Sequence, residues 1–223
     1  MTEDSKYSDI VVNKFTEESA KAFRDKVLRR SSIDPNMPVI IYVDSYGGNV
    51  DALNTMISTM HQIPNPTVTV CIGKAMSCGA ILLAAGDYRF CDPMARVLIH
   101  EVTAGSINPI NDMENDVKEC RRLNNQMMNF LAKRCNKTYK QIKDMMHAQD
   151  SRDINLTAKE ALDFGIVDHI GTPIVKPIIM YSIDSVPEHN YSKDGIAVIK
   201  EVVITNSRTK TKTKKKKTRR KTR

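Results

Sequence analysis

Ser77 stands in the stretch "CIGKAMSCGAILLAAG", between a β-branched apolar run and a run of apolar helix formers. A serine on a strand-to-helix turn can do one of two things. Its hydroxyl can cap the helix N-terminus. It can also act as a nucleophile, with a neighbouring backbone N–H left to stabilise an oxyanion. The cap is the commoner use, and this window alone leaves both open. Three other features bear on the choice. In "DSYGGNV", Gly47 and Gly48 end an apolar run just before a helical one. Glycine there lets backbone approach a substrate and aim an N–H at it, although turn chemistry also explains such a pair. His100 closes "ARVLIH", where another strand should end; His61 and His147 fall on helical stretches, and His169 and His189 come late in the chain. Lone histidines are more often structural than basic catalysts, but only His100 has that placement. Asp153 precedes "NLTAKEA", where an acid can favour a helix dipole or hold a histidine in one tautomer.

The elements that must position these residues are readable in outline. "DIVVNKFTEESAKAFRDKVLRR" predicts a short strand and a helix capped by Thr16 and Ser19. "NMPVIIYVDSYGG" predicts a strand too apolar to have a wet face, followed by a helix with Val50, Leu53, Met56, Ile57 and Met60 on one side. "PTVTVCIG", "AILLAAG" and "ARVLIH" then give strand, helix and a fourth strand. Such alternation predicts an α/β fold with a largely parallel sheet, in which sites gather at the carboxyl ends of strands. From Asn111 to about Arg134, Met113, Val117, Cys120, Leu123, Met127 and Leu131 recur at helical spacing, a stripe that packing explains. "TYKQIKDMMHAQ" and "LTAKEALDFG" predict two more helices, the second with Thr157 and Glu160 as a capping box. Residues 173–206 suggest a hairpin or edge strands.

Composition narrows the classes. The 223 residues are 41% hydrophobic, ordinary for a single globular domain with extensions. No apolar run approaches a membrane span, and the start "MTEDSKYSD" is polar and acidic. That points to a cytoplasmic protein without a secretory leader. Five cysteines without CxxC spacing read as reduced thiols, not a disulfide framework or a zinc site. The net charge of +8 comes from residues 207–223, which hold eleven Lys or Arg and leave 23 basic against 26 acidic residues elsewhere. The body is acidic and the tail is expected to be disordered alone. That tail could solubilise, or contact nucleic acid or an acidic partner without reading sequence.

The motifs "YGGNVDA", "GKAMSCGAILLAAG", "RVLIH" and "DINLTAKEALDFGIVDHI" occur in an order that resembles the proteolytic subunit of the ATP-dependent Clp protease. The likeness runs from about Asp9 to Ile170 without a large gap. It implies the fold shared with crotonases, built of repeated β-β-α units, with a protruding handle helix matched by residues 104–134. It implies a serine endopeptidase domain over residues 1–172. Ser77 would be the nucleophile, His100 the base and Asp153 its orienter, with Gly48 and Cys78 giving the backbone N–H groups of the oxyanion hole. It also implies seven-membered rings, often stacked into a chamber, fed with unfolded chains by an ATP-driven AAA+ unfoldase. The peptidase itself would use no metal or other cofactor. Family members usually begin with a longer N-terminal segment, and here Tyr46 replaces a proline and "HEV" replaces "HQP". Two further readings keep the same fold: a virus-associated maturation protease with this triad, and a non-catalytic ring subunit. A crotonase-type enzyme would lack the triad, and a signal-peptide peptidase relative would need a lysine base, for which Lys74 is the nearest candidate.

Overall fold

The computed structural model describes residues 9–103, 105, 107–148 and 153–176. Most of the segment expected to form a hairpin at 173–206, and all of the tail at 207–223, lie outside the described residues. Strand and helix alternate through the first half as the apolar runs predict. β1 (Ile10–Val12) leads into α1 (Glu17–Ile33), where Thr16 and Ser19 exchange side-chain bonds with each other's backbone N–H. β2 (Val39–Ser45) leads into α2 (Val50–Gln62), whose Asn49 Oδ1 accepts from the Asp51 and Ala52 N–H groups at 2.6 and 3.0 Å. Leu53, Met56, Ile57 and Met60 of α2 are buried, the face its spacing predicts. β3 (Thr67–Met76), α3 (Cys78–Ala85), β4 (Tyr88–Cys91) and β5 (Arg96–Ile99) follow. Then come α4 (Ile110–Arg134), α5 (Tyr139–His147), β6 (Ile154–Thr157), α6 (Ala158–Phe164) and β7 (His169–Ile170).

β1, β2, β3, β4 and β7 lie in that order, each parallel to its neighbour. β3 is the hinge of the sheet. Its first half, Val68–Cys71, pairs with β4, and its last residues, Lys74–Met76, pair with β5. The sheet therefore changes partners just before Ser77. β6 then adds to β5 in antiparallel register, from Arg96 opposite Thr157 to Ile99 opposite Ile154. Three strands here exceed the four that the sequence predicts: β4, β6 and β7 are too short for alternation to show. β2 also differs from expectation, since it alternates buried and half-buried residues and so covers only one face fully. α3 is buried along its whole length. It packs with α2 around Ile41, Val43, Leu53, Met56, Leu82 and Leu83, all fully buried. Removing a leucine side chain from such a site costs about 2–5 kcal/mol.

The root of α4 is fastened by two guanidinium groups. Arg134, its last residue, donates to the carbonyls of Ala84 and Gly86, satisfying acceptors that the end of α3 leaves over. Arg89 of β4 in turn donates to Arg134 O (3.2 Å), Gly165 O (2.9 Å) and Asp168 Oδ2 (2.9 Å). Partial burial opposes ionisation of Asp168, yet the hydrogen bonds and charge of Arg89 outweigh it and hold the carboxyl below its ordinary value. A depressed carboxyl stabilises the fold above its unfolded pKa of about 3.9, and that contribution is lost as pH falls through the lower folded value. Asp168→Asn should therefore lower unfolding free energy by roughly 1–2 kcal/mol at pH 7, a figure reduced for a side chain 34% open to solvent. Urea denaturation should show the gap from wild type narrowing as pH drops below about 4.

Candidate active site

The site is built around an unusual backbone. Ser77 holds φ +55° and ψ −122°, outside the left-handed helical well that a non-glycine residue tolerates best. A conformation of this kind costs about 1–3 kcal/mol and persists only where surrounding structure imposes it. Here both sides impose it. The Ser77 N–H donates to Leu98 O at 2.9 Å, extending the β3–β5 ladder by one rung. Its carbonyl already accepts from Ala80 N–H at 2.9 Å, the first bond of α3. The chain thus turns from strand to helix within a single residue. The Ser77 hydroxyl makes no capping bond to that helix. The commoner use of such a serine is thus not the one this geometry shows.

The double glycine meets it from β2. Gly47 has φ +107°, and a Cβ placed on it would come within 2.7 Å of Ser77 Cβ. Gly48 has φ +149°, and a Cβ there would sit 2.6 Å from Phe15 O. Neither position admits a side chain, so the two turns touch through bare backbone. Three bonds fix this turn. Gly47 N–H donates to Ser45 Oγ (3.1 Å), Asn49 N–H donates to Phe15 O (2.9 Å), and the Cys78 thiol donates to Gly48 O (3.2 Å).

Gly48, Ser77, Cys78 and His100 line one cavity of about 70 Å³. Val50 and Leu53 of α2, Ile81 of α3, and Met127 and Met128 of α4 supply its apolar wall. His100 follows directly on β5 and Asp153 directly precedes β6, two strands paired antiparallel as far as Ile99 opposite Ile154. Asp153 is therefore not an acid at the tip of α6. That helix is capped by Thr157, with Glu160 bonding back to the Thr157 N–H at 2.8 Å. The segment beyond His100 is held to α4, since Val102 N–H donates to Asn124 Oδ1 at 3.1 Å.

Lys74 does not fit the role of a lysine base. Its ammonium bonds Asp44 Oδ1 at 2.8 Å and lies 4.5 Å from the Tyr46 ring centroid. The bond to Asp44 raises its pKa, the opposite of what a neutral amine base needs.

The Clp protease family model matches residues 6–173. The chain belongs to the Clp protease family. Its curated relatives include ATP-dependent Clp protease proteolytic subunit 1 of Corynebacterium glutamicum, 37% identical over 155 residues that cover 68% of this chain and 73% of the relative. The corresponding subunit 1 of Corynebacterium diphtheriae is 35% identical over 155 residues, covering 68% and 72%. Subunit 2 of Tropheryma whipplei is 36% identical over 149 residues, covering 66% and 81%. With the parallel core and the long α4, this Clp protease family member has the serine endopeptidase fold that its motifs imply.

Reading the sequence left part of the cavity wall unassigned. Met127 reads as plain packing within its stripe and Met128 carries no signal at all, and only tertiary structure brings both to the cavity. Of the two glycines, Gly47 is the one whose bare Cα abuts Ser77, while Gly48 abuts Phe15. Gly47→Ala is expected to cost roughly 1–3 kcal/mol of unfolding free energy. It should also slow Ser77 modification by a fluorophosphonate at least about tenfold, because small misplacements of a reacting group are expensive. Melting temperature and labelling rate measured on one preparation check both.

Proposed function

We propose that Ser77, His100 and Asp153 form the triad by which this Clp protease family member hydrolyses peptide bonds. Ser77 Oγ attacks the carbonyl carbon, and His100 takes its proton and returns it to the leaving amine. Asp153 holds the imidazole in one tautomer. The developing oxyanion faces two backbone donors. One is Cys78 N–H, among the first donors of α3, which have no partner within the helix. The other is Gly48 N–H, the donor that the three bonds pinning the glycine turn do not use. The observation that carries this reading is the Ser77 turn: a strained backbone presents a hydroxyl that caps nothing, in one cavity with His100. The apolar wall suits a modest apolar side chain next to the scissile bond. A non-catalytic subunit would have no use for that strain, and a virus-associated maturation protease would use the same site.

The peptidase domain spans residues 1–172, followed by an extension over 173–206 and a basic tail over 207–223. Polypeptides are the substrates, and homo-oligomeric rings, seven-membered or stacked, form the working chamber. Along α4, Ile110, Met113 and Val117 are exposed apolar residues at helical spacing, a surface suited to burial against another subunit. An AAA+ unfoldase, suggested by the ATP-dependent relatives, would deliver chains. No helix among the described residues is long and apolar enough to cross a membrane, and five free thiols suit a cytoplasmic setting.

Ser77→Ala should abolish hydrolysis of short fluorogenic peptides while leaving the oligomer seen by sedimentation velocity unchanged. Asp153→Asn should lower kcat by about three to four orders of magnitude with little change in melting temperature. Full activity in the asparagine variant would remove Asp153 from the triad, and a wild-type monomer at micromolar concentration would remove the ring.

For the tail, the reading is weak binding to nucleic acid or an acidic partner through counterion release. Deleting residues 207–223 should abolish a nucleic-acid gel shift seen at low salt and leave peptide hydrolysis intact. A shift that survives deletion, or none in the full chain, would leave the tail without this role.

A further inference from the structure

Cys78 has a thiol as well as the backbone N–H assigned above, and the thiol bonds the glycine turn. Its side chain is 5% exposed, and its sulfur lies 3.2 Å from Gly48 O. That is close for the weak S–H donor. Burial raises the thiol pKa, so the proton that makes the bond stays in place at neutral pH. The acceptor is the carbonyl of the peptide joining Gly48 to Asn49. The N–H of that same peptide donates to Phe15 O at 2.9 Å. One peptide plane is thus gripped at both ends, from α3 on one side and from Phe15, just ahead of the α1 cap, on the other.

This grip matters because Gly48 has no Cβ to restrict it and sits at φ +149°. Glycine explores backbone space more freely than any other residue. A donor carried on a glycine points reliably only if neighbouring peptide planes are fixed. On the upstream side, Gly47 N–H is held by Ser45 Oγ at 3.1 Å, and Ser45 Oγ itself donates to Asn13 O at 3.0 Å. On the downstream side, the Cys78 thiol and Phe15 do the holding.

We propose that the Cys78 side chain is a positioning group for the oxyanion hole, its thiol fixing the Gly48–Asn49 peptide so that Gly48 N–H converges with Cys78 N–H on the same point. This role rests on the reading of Ser77 as nucleophile. It belongs to the side chain alone, since every substitution at 78 other than proline keeps the backbone donor. Oxyanion contacts strengthen in the transition state, so their misalignment is felt in kcat, not in KM.

The test compares wild type, Cys78→Ser, Cys78→Val and Cys78→Ala as full-length chains on one short apolar fluorogenic peptide. Ser77→Ala serves as the blank, and melting temperature and sedimentation are recorded for each. Serine keeps a donor in a smaller side chain; valine keeps bulk without a donor. The expected result is a kcat lowered about three- to tenfold in the valine and alanine variants, the size a single hydrogen bond supports. KM should stay within about twofold, and serine should recover most of the rate. Valine recovering the rate while serine does not would make the residue a packing element and overturn the proposal. So would an unchanged kcat in all three variants while hydrolysis still requires Ser77. If Ser77→Ala hydrolyses the peptide as fast as wild type, the nucleophile reading falls and this role falls with it.

Discussion

The structure depends on one conflict resolved at a single residue. β3 must stay in register with β5 up to Met76, while α3 must begin at Cys78 to reach the core. Ser77 absorbs the whole change of direction, and its φ of +55° is the result. The conformation is held by bonds that belong to the fold at large: a sheet rung to Leu98 on one side and a helical bond from Ala80 on the other. The strain is therefore supported by the hydrophobic packing of α3 and the ladder of β3. The position of Ser77 is a property of the core, not of a loop.

How far this was readable from the chain differs from residue to residue. The caps at Thr16 and Thr157 and the buried face of α2 follow from local rules, because the groups involved lie within one turn of each other. The choice between cap and nucleophile at Ser77 could not be made locally. It turns on the direction of a hydroxyl that only the β3–β5 pairing sets. Asp153 is a similar case. Its link to the end of β5 follows from the antiparallel pairing of β6 with β5, and a four-residue strand that doubles as the approach to a helix cap carries no alternation to announce it. Met127 fits a helical stripe so well that nothing in its spacing separates wall from filler, and Met128 lies outside that stripe.

That stripe also divides along its length. Met127, Met128 and Leu131 are buried, while Met113 and Val117 nearer the start of α4 are 41% and 56% exposed. A single periodic pattern thus serves two environments, one within the subunit and one facing outward. The apparent uniformity in sequence hides a change of partner, much as β3 hides its change from β4 to β5.

The fastening of α4 has a mechanical consequence. Arg134 and Arg89 fix the helix at one end, and its outer turns make few contacts, so it is built as a cantilever. A load applied near Ile110 is carried along a stiff rod to its root. Two methionines of the cavity wall lie within two turns of that root, and the Asn124 bond to the segment after His100 lies further along the same rod. Whatever grips the free end of this beam applies a torque at the other, where a fraction of an ångström changes the space offered to a substrate.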